Sequence, residues 1–550
     1  MMKFILGFWL MLVFNSIFGQ CINGQYILED NGLTHAQSID YTDDGGFVIA
    51  GYTTVSGAGQ EDIFITKFDN QNNIEWSNTY GTSSKDSGFP VYIINTPNGY
   101  LISCQSGNFS NYGGLTILNL DFNGAILWQK KVSNQSHYSL SIFASVDNNG
   151  DYLLSGSVAY NSAGSDDAYL LKLDNSGNII WSKTFGTPTN DHSFCTIQTS
   201  DNGYIYGAHS RFFGIGDASK ILIKTDINGT YQWSKYYDQS NDASFYDYQI
   251  APDGNIYAVG LEINGTDQDF SVTKLDQNGN LIWSKRYAGA NNETGNSIEI
   301  LSNGDLFVSG TSNSFGSGGN DLFISKLDGN GDEIWTKFYG GALSDELIQH
   351  TIDPLKLNET SGKLYLIGNT KSFGNSDLDP YIIITDLDGN SDCNSLNANW
   401  TITTENPVVG NAPYTSIGSI GSISNSNLNS NPFLSTLDTL CINVCDTVLI
   451  DTTIIKPDTL FQNCITMPTA FSPNGDNLND KLYPIFKINE VAINEFRIYN
   501  RWGEEIHNGN FAWDGKYKNK DQAQEIYIYF IKYTCYNEVK QLIGNVTLIR

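Results

Sequence analysis

The chain has 550 residues, 40% of them hydrophobic and 13% aromatic, enough to fill several cores and too many for a disordered protein. Its 59 acidic residues against 30 basic ones give a formal net charge of -29, which repels phosphate backbones and anionic lipid and argues against nucleic acid as a partner.

Lys3, the apolar and glycine run from Phe4 to Phe14, and the polar break Asn15-Ser16 predict a secretory signal peptide over residues 1–20. The run is too short to span a bilayer, and no later stretch approaches the roughly 20 apolar residues a span needs, so no integral membrane span is expected. Gln20 stands where a lipid-attachment box wants a small residue before Cys21, which favours ordinary cleavage near Gln20. The eight cysteines, at 21, 104, 195, 393, 441, 445, 464 and 535, then enter an oxidising compartment where pairing is allowed.

Over residues 21–395 a tryptophan returns every 50 to 53 residues, at Trp76, Trp128, Trp181, Trp233, Trp283 and Trp335. Each closes a phrase such as KLDNSGNIIWSKTFG, with an aspartate seven residues earlier. That period is too long for a helical hairpin and suits one four-stranded propeller blade. Gly124, Gly177, Gly229, Gly279 and Gly331, with Asn72 in the first repeat, mark a turn that needs a positive φ. Lysines recur two residues after the Trp (Lys130, Lys183, Lys235, Lys285, Lys337) and two before the aspartate (Lys67, Lys172, Lys224, Lys274, Lys326). They read as defence of an exposed blade edge against strand pairing, in preference to cation rings for an acidic polysaccharide.

A seventh period, from KLYLIGNTKSFG to DPYIIITDLDGNSDC, carries Cys393 near the place of the tryptophan and lacks an outer strand, which residues 21–32 can supply. The expected fold class is all-β, a seven-bladed β-propeller closed by its two chain ends, with a Cys21–Cys393 disulfide as the clasp. Residues 396–463 read as a Ser/Asn/Thr-rich linker. Within it Asp-Thr pairs resemble the O-glycosylation acceptor motif of Bacteroidetes, making Thr439, Thr447, Thr452 and Thr459 candidates beside the alternative of chance in a Thr-rich stretch.

From Cys464 the text changes to CITMPTAFSPNGDNLNDKLYPI, FRIYNRWGEEIHNG, FAWDGKYKNK and IYIYFIKYTC. Residues 464–550 resemble the gliding-motility-associated C-terminal domain of Bacteroidetes, the type B sorting domain of the type IX secretion system. The resemblance rests on Pro473, Asn474, Gly475, Asp476, Asn479 and Asp480, then Arg501, Trp502 and Gly503, then Trp513, Asp514 and Gly515, in the family's order. Asn477 departs from the family's usual glycine, but asparagine tolerates the same left-handed backbone. The resemblance implies an Ig-like β-sandwich, the type IX secretion machinery as partner, and a product released or held at the outer cell surface. A Cys464–Cys535 bridge suits so small a domain, and Asp476 with Asp480 offers oxygens to calcium or merely forms a turn.

No catalytic constellation emerges. The six histidines are scattered and look like loop residues, His35 and His192 at equivalent places in two repeats. Arg211 and Arg286 are too few for a sialidase-type arginine triad. The Asp, Gly and Trp phrase resembles the blade motif of quinone-cofactor dehydrogenases, without the vicinal cysteines of several such enzymes. Asp86, Asp191 and Asp345, with Asp242 and Asn292 one residue earlier in register, fall in loops joining blades and read as turn caps before a ring for a cation or sugar. The expectation is a non-enzymatic secreted or surface module that binds a glycan or a surface protein. The rival is a secreted enzyme, quinone-dependent or polysaccharide-acting. An apolar or carboxylate-lined central pocket would mark the enzyme, and a channel plugged by small residues the binding module.

Overall fold

The computed structural model describes residues 22–549 except 30–31, 56, 58, 60, 84–87, 107–113, 134–138, 159–165, 214–217, 239–242, 348–350, 352, 375–377, 392–394, 413–414, 419–421, 426–428, 433–435, 445–464, 469, 474–479, 487–490, 501–504, 510–511, 519 and 536–537. Every element among these residues is a strand, as the alternating apolar and aromatic pattern requires. The chain divides into two units, Met1–Thr447 and Val448–Arg550.

The first unit contains seven antiparallel sheets that follow one another along the chain. The fourth is typical: Asp191–Gln198, Tyr204–Ser210, Ser219–Thr225 and Tyr231–Asp238, each hydrogen-bonded to the next. The first strands of successive sheets touch in cyclic order, from Thr34–Tyr41 through Gly88–Thr96 and Ser139–Val146 to Glu293–Ile300, then Leu355–Asn358 and back. Side chains rivet these inner strands where no backbone ladder joins them. Gln37 Oε1 accepts from Val91 N at 2.8 Å, and Asp40 Oδ2 accepts from Asn95 N at 2.7 Å. Six of the inner strands carry a bulge at the same place, which re-aims their side chains toward the middle of the ring.

The repeated tryptophan explains itself at the joint between sheets. Each sits against the turn glycine of the following sheet, so that a Cβ on Gly331 would lie 2.7 Å from the Trp283 ring, and one on Gly279 2.8 Å from Trp233. Those glycines have positive φ, +76 at Gly331 and +70 at Gly279, so backbone conformation and the missing side chain are both required. In four of the six repeats the residue four beyond the tryptophan is a tyrosine whose hydroxyl donates to the same glycine's carbonyl, as Tyr80 to Gly124 (2.7 Å) and Tyr287 to Gly331 (2.7 Å); Val132 and Phe185 take its place in the other two.

At the last joint Ile22–Glu29 pairs antiparallel with Asp379–Asp386, so the N-terminal segment completes the seventh sheet. Tyr26 there takes a hydrogen bond from Asn72 Nδ2 at 2.7 Å, standing in for the Tyr-to-Gly bond elsewhere. Cys21 and Cys393 lie outside the described residues.

Part of the expected linker is structured. Residues 395–444 form seven short strands that run back around the ring in reverse order, each adding a fifth strand to the outer edge of one sheet. Ser395–Asn397 joins the sixth sheet, Thr401–Glu405 the fifth, Val408–Asn411 the fourth, Thr415–Gly418 the third, Ser422–Asn425 the second and Asn429–Pro432 the first. Thr436–Val444 then pairs with Ile22–Glu29 on the seventh. After the first step the strands begin every seven residues, at 401, 408, 415, 422, 429 and 436. Seven extended residues reach about 24 Å, which permits one step per sheet. The belt corrects the linker assignment over 396–444, and its cause is the open outer edge that each four-stranded sheet offers.

Trp400, 6% exposed, pins the belt. Its ring lies 5.1 to 5.4 Å from Phe270, Phe315, Phe323 and Phe338, and its indole N–H donates to Ser325 Oγ at 2.8 Å.

In the second unit a five-stranded sheet runs Ala470–Phe471, Glu538–Leu548, Ile526–Cys535, Val491–Tyr499, Glu505–Gly509, with the first pair parallel. Its core gathers Phe471, Leu482, Phe496, Ile498, Ile531 and Val546 around Trp513.

Candidate functional site

The ring brings together side chains far apart in sequence. A pocket of ≈ 270 Å³ at its centre is lined by Asp40, Tyr92, Asn95, Tyr248, Asp353 and Lys356 among others. Asp353, at a left-handed φ of +52, accepts from Tyr92 Oη at 2.8 Å and Ser297 Oγ at 2.9 Å and pairs with Lys356. Asp247 accepts from Ile298 N at 2.9 Å and Tyr248 N at 2.7 Å. Lys356 also faces Glu299 at 3.9 Å. Burial pushes the Asp247 carboxyl up to about 7, reinforced by the negative charge of Asp353. Burial likewise takes Asp40 up to about 6 and Glu299 well above the carboxylate range. Burial alone would lower Lys356, but Asp353, Glu299 and Asp40 outweigh it and raise the ammonium. Sequence offers no warning of this cluster, because its members come from four segments far apart in the chain, around Asp40, Asp247, Glu299 and Asp353 with Lys356, and only the ring unites them.

A second cavity, ≈ 450 Å³, opens between the fourth and fifth sheets. Trp233, Ile205, Ile250 and Ile256 form its apolar wall, and Asp201, Gln232, Asp253, Gln277 and Asn278 contribute polar groups.

The residues singled out by the repeat have structural roles. Lysines two before the aspartate lie on third strands and tie down turns: Lys67 pairs with Asp44 (2.8 Å) and Glu75 (2.9 Å), Lys172 with Asp147 (2.7 Å), Lys224 with Asp201 (3.0 Å). Lysines two after the Trp cross to the next sheet, as Lys285 to Asp332 at 2.6 Å. The edge-defence reading of both sets is therefore corrected, since the belt covers part of each fourth strand and the lysines have carboxylate or amide partners. Asp191 accepts from Thr187 N (2.6 Å) and Oγ1 (2.7 Å), and Asp345 from Gly341 N (2.7 Å), so both close their own loops; Asp86 and Asp242 lie outside the described residues. The histidines His35 and His192 are on inner strands rather than loops, against Tyr52 and His209. Burial depresses His35 to about 4, aided by Lys371, and it lowers His192 as well.

In the second unit Trp513 lies tilted against Phe471 (5.2 Å) and edge-on to Tyr527 (4.9 Å), Gly515 takes φ +74, and Asp514 Oδ1 accepts from Lys516 N at 3.1 Å. A Cβ on Gly515 would approach Pro473 at 2.9 Å, so these two motif positions meet. Asp480 is half-buried. The expected signal peptide, Cys464, Thr447, Thr452, Thr459, Asn474, Gly475, Asp476, Asn479, Arg501, Trp502 and Gly503 lie outside the described residues; Thr439 and Cys535 are placed in strands. Among the described residues no group of three or more His, Cys, Asp or Glu could hold a metal ion.

The parallel Ala470–Phe471 edge, the buried Trp513 and the aromatic strands belong to a segment that matches a known family over residues 465–547. This segment is a CHU_C Type IX secretion signal domain. The chain carrying it is accordingly a secreted or cell-surface protein whose C-terminal segment engages the type IX secretion machinery. No helix among the described residues is long and apolar enough to cross a membrane. No curated protein matches the chain. Among solved structures it is similar to the polysaccharide lyase Uly1 (11% identity, TM-score 0.41, 65% of this chain and 91% of that one). It is also similar to a puromycin hydrolase (11%, 0.41, 67% and 54%). A third is PorZ, a surface component of the type-IX secretion system of Porphyromonas gingivalis (10%, 0.29, 95% and 75%). With every TM-score below 0.5, no activity is taken from them.

Proposed function

We propose that the first unit is a seven-bladed β-propeller, its seven sheets being the blades, and that it works outside the cell as a binding or adhesion module for a glycan or a surface protein. The observation that carries this is how the central carboxylates are used. Asp40, Asp247 and Asp353 each accept hydrogen bonds that cross from one inner strand to another, so they hold the ring together as rivets. A glycan array probed with the full chain tests the proposal, with retention of a defined glycan or surface protein expected and no hydrolysis or elimination products.

A second reading has its own support, because the pocket is lined by Asp40 and Asp353, and Asp40, raised to about 6, would suit a general acid, with Asp247, raised to about 7, buried next to the lining residue Tyr248. Under it the protein is a polysaccharide-acting enzyme with its site in the channel. Release of new reducing ends from a polysaccharide, lost in Asp40→Asn, would decide for that reading.

The Cys21–Cys393 clasp is supported by the pairing of Ile22–Glu29 with Asp379–Asp386, whose register puts both flanking segments at one end of the sheet. Ile22 also pairs with Val444, which makes Cys445 the competing partner. Peptide mapping without reduction distinguishes the two.

A further inference from the structure

The cavity between the fourth and fifth sheets differs from the other joints in what stands beside the tryptophan: the first three tryptophans meet a tyrosine of the following sheet and the last two an aromatic ring of their own sheet. Trp76, Trp128 and Trp181 have Tyr100, Tyr152 and Tyr204 beside them, at ring distances of 5.9, 6.0 and 5.8 Å. Trp283 and Trp335 have Tyr257 and Phe307, both at 6.0 Å. Trp233 alone of the six has no aromatic ring beside it among the described residues. Where the second strands of the second, third and fourth sheets carry Tyr100, Tyr152 and Tyr204, that of the fifth carries Ile256, and a cavity of ≈ 450 Å³ remains. That volume falls within the ~300–1,000 Å³ typical of small-ligand sites.

Its polar groups have capacity to spare. Trp76 and Trp128 donate their indole N–H to Phe122 O (2.9 Å) and Asn175 O (3.0 Å), whereas that of Trp233, like those of Trp181, Trp283 and Trp335, has no acceptor among the described residues. The exposed side-chain amides of Gln232 and Gln277 are likewise uncommitted. Asp201 takes Thr199 Oγ1, Gly203 N and Lys224 Nζ all on Oδ1, leaving Oδ2 free to accept. Lys224, the one cation in the lining, is spent on Asp201 (3.0 Å) and Thr225 O (2.9 Å). Lys235 Nζ stands 5.6 Å from the centre of the Trp233 ring and is bonded to Asn278 O and Asn280 Oδ1. An indole wall flanked by amides and by the carboxylates of Asp201 and Asp253 suits a ring that has an apolar C–H face and many hydroxyls, and the two carboxylates disfavour an anionic one.

We propose that this cavity is a binding site for a neutral oligosaccharide, one pyranose ring lying on the indole of Trp233 and its hydroxyls bonding to Gln232, Gln277 and Asp201. This rests on the binding-module reading and names its ligand class. Calorimetric titration of the full chain with linear neutral gluco-, manno- and galacto-hexaoses, and with polygalacturonate as the anionic probe, tests it. At least one neutral hexaose binds with millimolar or tighter affinity, and polygalacturonate binds no better. Ile256→Tyr, which restores the tyrosine of the preceding sheets, fills the cavity and weakens binding at least tenfold with thermal unfolding unchanged. Gln232→Ala, on the exposed rim, weakens it several-fold. Trp233→Ala is the poorer probe, because the indole also packs on the core.

Neutral-hexaose binding that survives both variants undiminished places the sugar elsewhere and overturns the site while the module reading stands. No neutral-hexaose binding, or a preference for polygalacturonate, overturns the ligand class. Turnover of a bound hexaose would instead overturn the module reading.

Discussion

Trp400→Ala tests whether the belt is held as the structure indicates. The indole is almost fully buried against four phenylalanines and donates to Ser325 Oγ. Truncating a buried tryptophan to alanine costs about 3–5 kcal/mol, and the lost hydrogen bond accounts for roughly 1 kcal/mol of that. Because the residue links the belt strands on the sixth and fifth sheets, the cost should fall on local opening of the belt before it falls on the whole unit. At about 1.4 kcal/mol per factor of ten, amides of Thr401–Glu405 and Val408–Asn411 should lose roughly 10² to 10³ in protection. Hydrogen exchange followed by mass spectrometry reads this, with Phe307 to Ser312 as an internal reference that keeps its protection. Trp400→Phe, which keeps the ring and loses the N–H, should cost about tenfold or less. A change below fivefold in the alanine variant, or equal loss in the reference strand, would refute the idea that Trp400 pins the belt.

Gly331→Ala is expected to destabilise by about 2–5 kcal/mol, from left-handed strain and overpacking against Trp283, whereas Gly254→Ala at φ +83, with only Gln277 nearby at 3.8 Å, should cost about 1–2 kcal/mol; denaturant unfolding of the two variants checks the difference. Asp40 and Asp247 hold protons in the folded state that the unfolded chain releases near pH 4, so their contribution is present at low pH and is lost as pH rises through about 6 and about 7. Unfolding free energy should fall across that window, and Asp247→Asn should flatten the fall. Lys356→Met leaves Asp353 without its cation and should cost about 3–5 kcal/mol at pH 7, measured by the same unfolding series. Removing residues 465–547 should abolish export, leaving the protein in cell fractions and absent from medium and surface on immunoblots.

What was legible in the sequence was whatever repeats or alternates. The Trp and Gly positions, spaced by a sheet at a time, are joint contacts and so recur with the joints. The strand at Ile22–Glu29 was legible because Tyr26 stands where the repeat puts its tyrosine. The belt was not, since its residues 401–444 are mostly small and polar, its strands span four or five residues in most sheets, and its seven-residue step resembles neither strand alternation nor the longer repeat. The central cluster was hidden for a different reason: Asp40, Glu299 and Lys356 share one position of the inner strands, but other repeats put Ile94, Ser145, Ile197 and Gln249 there, so no residue type recurs, and Asp247 and Asp353 stand at other positions. At the groove the signal was present and negative, an isoleucine at 256 where Tyr100, Tyr152 and Tyr204 stand, and it gains meaning only once the tryptophan of the neighbouring sheet is known to face it.

The belt also decides how the protein answers a pull. Tension arriving through residue 445 meets Thr436–Val444, bonded along its length to Ile22–Glu29 at the outer edge of the seventh sheet, before it meets the other six sheets. If that strand yields, the next fastening is a separate sheet seven residues further on, and each release lengthens the tether by up to about 24 Å. The fifty residues from 395 to 444 thus store roughly 165 Å of reach. A cell dragging on a bound target would spend mechanical work on renewable fastenings while the four-stranded sheets beneath, and whatever they hold, stay intact.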